Sequence, residues 1–398
     1  MRLLVVLTYY PFPPRTGSTI FAYNSLKQLS KDHEIDLVCF RPEKVLFDPA
    51  EFVKRLVLIV HKKPRGVVLW VRHLLYMMAG VPPSVSAFVS NAMRNKVKEL
   101  IESYKYDAIL LFDISAIQFC PSSWYGKLIV HIEDPLSIKV YRLLGLPVVS
   151  SLEWTKLFMV SKVARIYEKR VFPLLAKVLL LSESDKQELY DQGFYGNLGF
   201  VPYGIDQKDT KEIVTYELRE KAIVFSGNMF HLPNVDGALF FLRDIFPLIL
   251  RQYPSAVLWI VGDAPDARIY AAASKYGKQV LITGRVDNLS DYIKRAMVSI
   301  CPVRLKIGVQ TKILEALSWG TPVVTTSAGK SGIEGLSGYH FWIEDDPQQF
   351  ANRVVELLQG IGWPKLSEGG RWLAGKKFSW EGSKLHLEQY LEDVISRN

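Results

Sequence analysis

The sequence predicts an α/β chain made of two doubly wound, parallel-sheet domains in succession. Three observations carry this. The chain has 398 residues, more than a single core usually serves. Short apolar runs alternate with helix-like segments, and several runs are apolar without interruption, as strands covered on both faces are. The alternation lapses once, in the polar stretch Asp206 to Arg219 (DQKDTKEIVTYELR), and then restarts.

The elements follow in order. LLVVL (Leu3–Leu7) reads as a buried first strand, followed by a loop through Pro14 and Gly17. A helix from about Ser18 to Ser30 carries Phe21, Leu26 and Leu29 on its apolar side. Further strands are expected at Glu34–Phe40, Ala108–Phe112, Leu128–His131, Val178–Leu181 and Gly199–Pro202. After the polar stretch come strands at Ala222–Gly227, Ala256–Gly262, Val280–Gly284, Val298–Val303 and Pro322–Thr326. Helices are expected through Asp236–Gln252 and Thr311–Trp319, and an amphipathic one over Phe378–Ile395 after the second sheet is complete. The domains are therefore 1–205 and 206–377, with 378–398 left over. Open α/β sheets bind ligands at the carboxyl ends of their strands, so two such domains are expected to face a cleft.

Composition narrows the class. Hydrophobic residues make up 49% and charged residues 22%, an ordinary globular balance. Cys39, Cys120 and Cys301 are far apart, with no metal spacing and no disulfide framework, which favours a reducing compartment. The N-terminal apolar run is too short for the core of a signal peptide. No stretch reaches the roughly 18 apolar residues of a membrane span. The expected location is cytoplasmic, with the inner face of a membrane as a further option.

That option comes from Val67–Ala79 (VVLWVRHLLYMMA), which is broken by Arg72 and His73 and preceded by Lys62, Lys63 and Arg65. It reads equally as a helix lying on an anionic membrane surface and as a mostly buried helix. The net charge of +9 suits nucleotide diphosphates, lipid phosphates or membrane. Nucleic acid is disfavoured, because no basic segment carries interleaved aromatics or a binding motif.

The chemistry concentrates in Arg304–Thr326 (RLKIGVQTKILEALSWGTPVVTT). Gly308, Val309 and Gln310 form a loop that ends at a helix starting near Thr311. Free N–H groups and the positive dipole end at that start suit a diphosphate. Lys312 stands in the first turn, where a cation opposes the dipole unless it neutralises a bound phosphate. Glu315, one turn on, is placed to accept from two neighbouring ribose hydroxyls. An ordinary helix start with a surface Lys and Glu would look the same.

Here the segment resembles the donor site of family 4 GT-B glycosyltransferases, with an Glu-x7-Glu pair followed by Ala and a Gly-x-Pro-Val-Val turn. LEALSWGTPVVTT puts the second glutamate at Glu315, which the resemblance assigns to the nucleotide ribose. Ile307 stands where the first glutamate is expected. Gly308, Gln310, Lys312, Glu315 and Ala316 match the Gly-x-Gln-x-Lys-x-x-Glu-Ala signature of a subgroup of bacterial sugar transferases that lacks that glutamate. In FSGNMFHLPNVDGALFFLRDIFP (Phe225–Pro247) the Arg and Lys of most family 4 enzymes are missing after Gly227, where Asn228 stands. The resemblance then shifts phosphate neutralisation to Lys312 and the helix N–H groups, with Arg304 or Lys306 as further candidates. Arg285 and Val286 match the loop that holds the nucleobase by its backbone.

The first half resembles the family less closely. Gly17 and Ser18 match a loop that approaches the donor diphosphate and acceptor, where bare backbone is useful. In HIEDPLSIKVY (His131–Tyr141), His131 matches a strand-end histidine that contacts the reacting sugar. Glu133 and Asp134 fall on the acceptor side, and an ordinary strand-end His fits as well. Ser182 or Ser184 is a helix cap, and Gly204 supplies a turn.

The resemblance implies the GT-B fold: two Rossmann-like domains facing a cleft, with a C-terminal crossover helix on the first. It implies a retaining, metal-independent transferase with no cofactor, His131 and Lys312 as catalytic residues, a nucleotide-diphosphate sugar as donor, and a glycan or lipid-linked acceptor. Asp345 and Asp346 beside Pro347 read as solvated charge in a turn. A catalytically silent nucleotide-sugar-binding subunit is the alternative, and a GT-B epimerase ranks below it. A nicotinamide dehydrogenase is disfavoured, as no strand is followed by Gly-x-Gly-x-x-Gly.

Overall fold

The computed structural model describes residues 1–14, 16–45, 47, 49–62, 64–206 and 213–397. Lys63 and residues 207–212 of the polar stretch therefore lie outside the described residues. The chain divides into two compact units. The first comprises Met1–Tyr141, Thr155–Gly204 and Trp380–Asn398. The second comprises Arg142–Trp154 and Ile205–Ser379, so a short segment inside the first half of the sequence joins the second unit.

The first unit is built on a seven-stranded sheet with β1 (Arg2–Leu7), β2 (Glu34–Phe40), β3 (Arg55–Ile59), β4 (Ala108–Leu111), β5 (Leu128–His131), β6 (Lys177–Leu180) and β7 (Leu198–Phe200). Their spatial order is β3-β2-β1-β4-β5-β6-β7, and every pairing is parallel. The order reverses at β1, where Val5 lies between Leu37 and Leu110. Leu3–Leu7 are fully buried, which is why this run is apolar without alternation.

The second unit has six parallel strands, β8 (Glu220–Ser226), β9 (Val257–Val261), β10 (Val280–Gly284), β11 (Ala296–Cys301), β12 (Val323–Thr325) and β13 (Trp342–Ile343). Their order is β10-β9-β8-β11-β12-β13. Both sheets are thus doubly wound and Rossmann-like, with helices on their faces. The edge strands β3 and β13 were not expected from the sequence. β3 is only half-buried along its length, and β13 has two residues, so neither gives a continuous apolar run.

Several helices depart from expectation. The segment read as one helix over Asp236–Gln252 starts earlier, at Leu232, and contains a π-helical turn, Phe241–Ile245. Asp346 is not merely solvated charge: it caps the helix Pro347–Leu358 by accepting from the Gln349 N–H at 2.9 Å. Asp345 accepts from the Ser327 N–H at 2.9 Å. The helix Gly66–Met78 contains no buried residue, which excludes the mostly buried reading. Arg219, at the end of the polar stretch, is 5% exposed. Its guanidinium donates to the carbonyls of Val214, Ala296 and Trp319 and to the Thr321 hydroxyl.

The final helix, Trp380–Ser396, closes the first unit. Its Ser383 hydroxyl donates to the Pro202 carbonyl at 2.6 Å, Lys384 pairs with Asp32, and the Tyr390 hydroxyl accepts from the Phe200 N–H at 3.3 Å. Gly204 makes this seat possible through closeness rather than through a turn. A Cβ there would lie 2.4 Å from the Trp380 ring and 2.8 Å from its Cα. Gly204→Ala should therefore destabilise the first unit by about 1–3 kcal/mol through overpacking, read as a lower urea midpoint for the wild-type transition that involves this unit.

Candidate functional site

In the second unit the sequence-singled residues gather at the carboxyl ends of β8, β9, β10 and β11. Gly227 follows β8 and Gly262 follows β9, and a Cβ on Gly262 would lie 1.7 Å from the Gly227 carbonyl oxygen. Both glycines have positive φ, 148° and 150°, so both the contact and the backbone demand glycine. The Gly227 N–H donates to the Val261 carbonyl at 3.0 Å, and the Gly262 N–H to the Gly284 carbonyl at 3.1 Å. Three strand ends are thereby drawn together, and Arg285 and Val286 follow directly from the third. Val286 packs its side chain against Trp259 and its neighbours, while Arg285 is exposed.

The loop after β11 leads to the helix Thr311–Ser318. Gly308 has φ 51°, and the Gln310 amide donates to the Ile307 carbonyl at 2.8 Å. The Gln310 side chain therefore closes the loop, and among the described residues the N-cap side chain makes no hydrogen bond to the helix start. Val309 is buried. Thr311 is the first helical residue, and Lys312 the second.

Lys312 reaches inward. Its ammonium donates to Asn234 Oδ1 at 2.5 Å and lies 4.7 Å from the centre of the Phe225 ring. A Cβ on Gly227 would sit 3.1 Å from Lys312 Nζ and 2.9 Å from Asn234 Nδ2. Asn234 in turn donates to the Asn228 carbonyl at 2.8 Å, fixing which of its amide atoms faces the lysine. Among the described residues Lys312 pairs with no carboxylate, and burial pushes its pKa below the ordinary value. A cation held this way is short of negative charge, which an anionic ligand would supply.

Arg304 is different. Its guanidinium pairs with Asp236 through two contacts, at 3.0 and 2.6 Å, and stacks 4.6 Å from the Phe240 ring centre. Asp236 is 1% exposed. Arg304 is thus not a free cation awaiting phosphate, and Asp236 is its partner. Lys306 offers its carbonyl to Arg142 at 2.6 Å. Glu315 is half-buried one turn after Lys312. Asn234, within the stretch Phe225–Pro247, was not among the predicted site residues; it directly follows Pro233 near the start of the helix Leu232–Phe240. A polar residue directly after that proline was the available signal.

In the first unit, Gly17 opens the helix Gly17–Leu29. A Cβ there would lie 3.4 Å from the Glu133 carboxylate, and the Ser18 carbonyl accepts from the Tyr9 hydroxyl at 3.3 Å. The Asp134 side chain is 4.0 Å from Lys139 Nζ. His131 is 2% exposed and stacks on Phe21 at 3.9 Å between ring centres, 9° from parallel. It therefore does not open outward from its strand end, as the sequence suggested. Among the described residues its Nε2 has no hydrogen-bond partner, and burial lowers its pKa to about 3.

Sequence reasoning missed Glu168. Its fully buried carboxylate accepts from the N–H groups of Leu136 at 2.5 Å and Ser137 at 3.2 Å. It thereby caps the start of Leu136–Leu143, just past His131, Glu133 and Asp134. Burial raises its pKa to about 7. The signal was present, since Glu168 shares a helical stripe with Ala164 and Val171.

His131 is neutral when folded and titrates near 6.5 when unfolded. Its contribution to stability is complete above pH 6.5 and is lost as pH falls toward about 3, by at most about 1.4 kcal/mol per pH unit. His131→Phe should flatten the loss of stability between about pH 7 and pH 5 relative to wild type, measured by denaturant titration. An unchanged slope would contradict this assignment.

Residues 220–360 match the family model described as Glycosyl transferases group 1. The chain is 23% identical over 381 residues to a protein of Klebsiella pneumoniae described as "Uncharacterized 44.6 kDa protein in cps region", covering 92% of each. Among solved structures, Anabaena HepE in complex with UDP and glucose superposes with a TM-score of 0.70 at 12% identity, covering 98% of this chain and 99% of the other. Sucrose-phosphate synthase from Thermosynechococcus elongatus gives 0.69 at 16% identity over the full length of both. The chain is a transferase of GT-B fold, and within its second unit residues 220–360 resemble the group 1 glycosyl transferases.

Proposed function

We propose that the chain transfers a sugar from a nucleotide-diphosphate sugar to a glycan or lipid-linked acceptor, with retention of configuration and without a metal ion. The observation that carries this reading is the enclosed Lys312 ammonium at the start of Thr311–Ser318, hydrogen-bonded to Asn234 and facing side-chain-free Gly227. Such a seat suits a diphosphate, with the lysine and the free N–H groups of the helix taking the role a divalent cation would otherwise fill.

On this reading the glycosidic bond to the departing diphosphate breaks as negative charge gathers on its oxygens. Lys312 and the helix N–H groups stabilise that charge. The acceptor oxygen bonds to the anomeric carbon from the same face, and its proton passes to the leaving phosphate. Glu315 holds the ribose, and Gly308 to Thr311 line the diphosphate. Arg285 and Val286 border the base, with Gly227 and Asn228 beside the donor. Gly17, Ser18, Glu133 and Asp134 serve the acceptor side. His131, buried against Phe21, positions that side rather than exchanging a proton. The subgroup signature Gly308-x-Gln310-x-Lys312-x-x-Glu315-Ala316 supports this assignment.

The complex of HepE with UDP and glucose makes a uridine donor the first to test. The cps region of the Klebsiella relative supports a part in polysaccharide assembly. No helix among the described residues is long and apolar enough to cross a membrane, and all three cysteines are free and buried. A cytoplasmic enzyme in peripheral contact with an anionic membrane fits these features.

Ile307, buried where a sugar-contacting glutamate was expected, favours one second reading, a subunit that binds donor without turnover. Calorimetry against UDP-, GDP-, ADP-, CMP- and dTDP-sugars without metal tests the site. One donor should bind, and Lys312→Ala and Glu315→Ala should each weaken it by about 1–3 kcal/mol. Unchanged affinity in both variants would remove the donor site from this helix. Binding without release of nucleotide on any acceptor would favour the silent subunit. A chelator should leave the transfer rate unchanged.

A further inference from the structure

The helix Gly66–Met78 is amphipathic in the wrong sense for a helix that covers a core. Val67, Val68, Val71, Leu74, Leu75 and Met78 recur at helical spacing, and all face outward together with Trp70. Val67 is 76% exposed, Trp70 69% and Met78 79%. The half-buried side holds Leu69, Tyr76 and Met77 together with Arg72 and His73, whose Nδ1 lies 2.7 Å from the Ser86 hydroxyl. Soluble surfaces rarely keep a continuous apolar stripe of this length uncovered.

At the N-terminal end of this helix, and continuous with it through Arg65, lies a cavity of about 610 Å³ at the carboxyl ends of β1, β2 and β3. Among the described residues, Arg41, Lys62 and Arg65 line it against a single carboxylate, Glu43. Among the described residues none of the three cations forms an ion pair. The helix itself carries no acidic residue. Three unpaired cations beside an exposed apolar stripe with a tryptophan match one chemistry, an anionic headgroup at the edge of an apolar layer. A protein partner would account for the stripe but not for the cation-lined cavity joined to it.

We propose that this helix lies in an anionic membrane surface and that Arg41, Lys62 and Arg65 seat a lipid phosphate in the adjoining cavity. The inference names where the acceptor half of the proposed function meets the lipid, and it rests on that reading for its link to sugar transfer. The full-length chain is sedimented with vesicles of phosphatidylcholine alone or mixed with phosphatidylglycerol. It should bind the mixed vesicles and largely ignore the neutral ones. Removing two charges in Arg41→Gln/Arg65→Gln should lower partitioning about 25-fold, near fivefold per charge, and Trp70→Ser/Leu74→Ser should also lower it.

These positions are exposed, so donor binding measured on the same variants should be retained, which excludes misfolding as the cause. The Glu315→Ala variant should keep vesicle binding even as it loses donor, so the two readings fail separately. Binding indifferent to phosphatidylglycerol or to the arginine substitutions would overturn the proposal. So would inorganic pyrophosphate binding by wild type but not by Arg41→Gln/Arg65→Gln without vesicle binding, which would assign the cavity to a soluble phosphate. Self-association abolished by Trp70→Ser/Leu74→Ser without vesicle binding would assign the stripe to a second copy of the chain.

Discussion

An enclosed ammonium that meets no carboxylate among the described residues sets the terms for the second unit. Burying a cation alone is expensive, and most proteins neutralise it. This chain does so elsewhere. Arg304 is matched to Asp236 through two contacts, and Arg219 is wrapped by carbonyl oxygens and a hydroxyl. Lys312 receives one neutral amide, and that amide is held by the Asn228 carbonyl. The arrangement also needs an empty place at Gly227, where any side chain would meet both Lys312 and Asn234. Local stability has been given up where an anion would restore it, a pattern more typical of binding sites than of cores.

The first unit manages buried polarity in the opposite way. Asp113 sits inside and accepts from the Thr8 hydroxyl and the Ala116 N–H. Glu168 satisfies the N–H groups of a neighbouring helix start. Both carboxyls are raised by burial yet held by donors, so they fix the loops after β4 and β5 rather than wait for a ligand. His131 lies within this fixed layer, stacked on Phe21. The loops that carry Gly17, Glu133 and Asp134 are therefore positioned from beneath by groups that do not reach solvent.

Much of the fold was legible because a strand buried on both faces writes itself as an uninterrupted apolar run. Leu3–Leu7 and Ala108–Leu111 show this directly. Edge strands such as Arg55–Ile59 escape the rule, since half-burial removes its pattern. The loop from Gly308 to the helix start at Thr311 was legible from local chemistry, as positive-φ glycine and helix starts are properties of neighbours in sequence. The Lys312–Asn234 contact was not, because it joins residues far apart in the chain. Arg219 looked like part of a solvated linker, and only the ends of β11 and of the helix Thr311–Ser318 make it a buried hub. Orientation was illegible for the helix Gly66–Met78: periodicity defines a stripe but not whether it turns inward or out.

The last helix has a consequence for synthesis. The first unit takes its closing element from Trp380–Ser396, which buries Leu387, Leu391 and Val394 and pairs with Asp32 and Pro202. A ribosome makes the chain from the other end, so the unit that begins first is completed last. Until the final residues emerge, the surfaces that receive this helix stay open while the whole second unit is made and folds. The nascent first unit must therefore wait, apolar surface uncovered, for a segment nearly two hundred residues downstream of Gly204. Any truncation near the carboxyl terminus strikes the amino-terminal half of the protein.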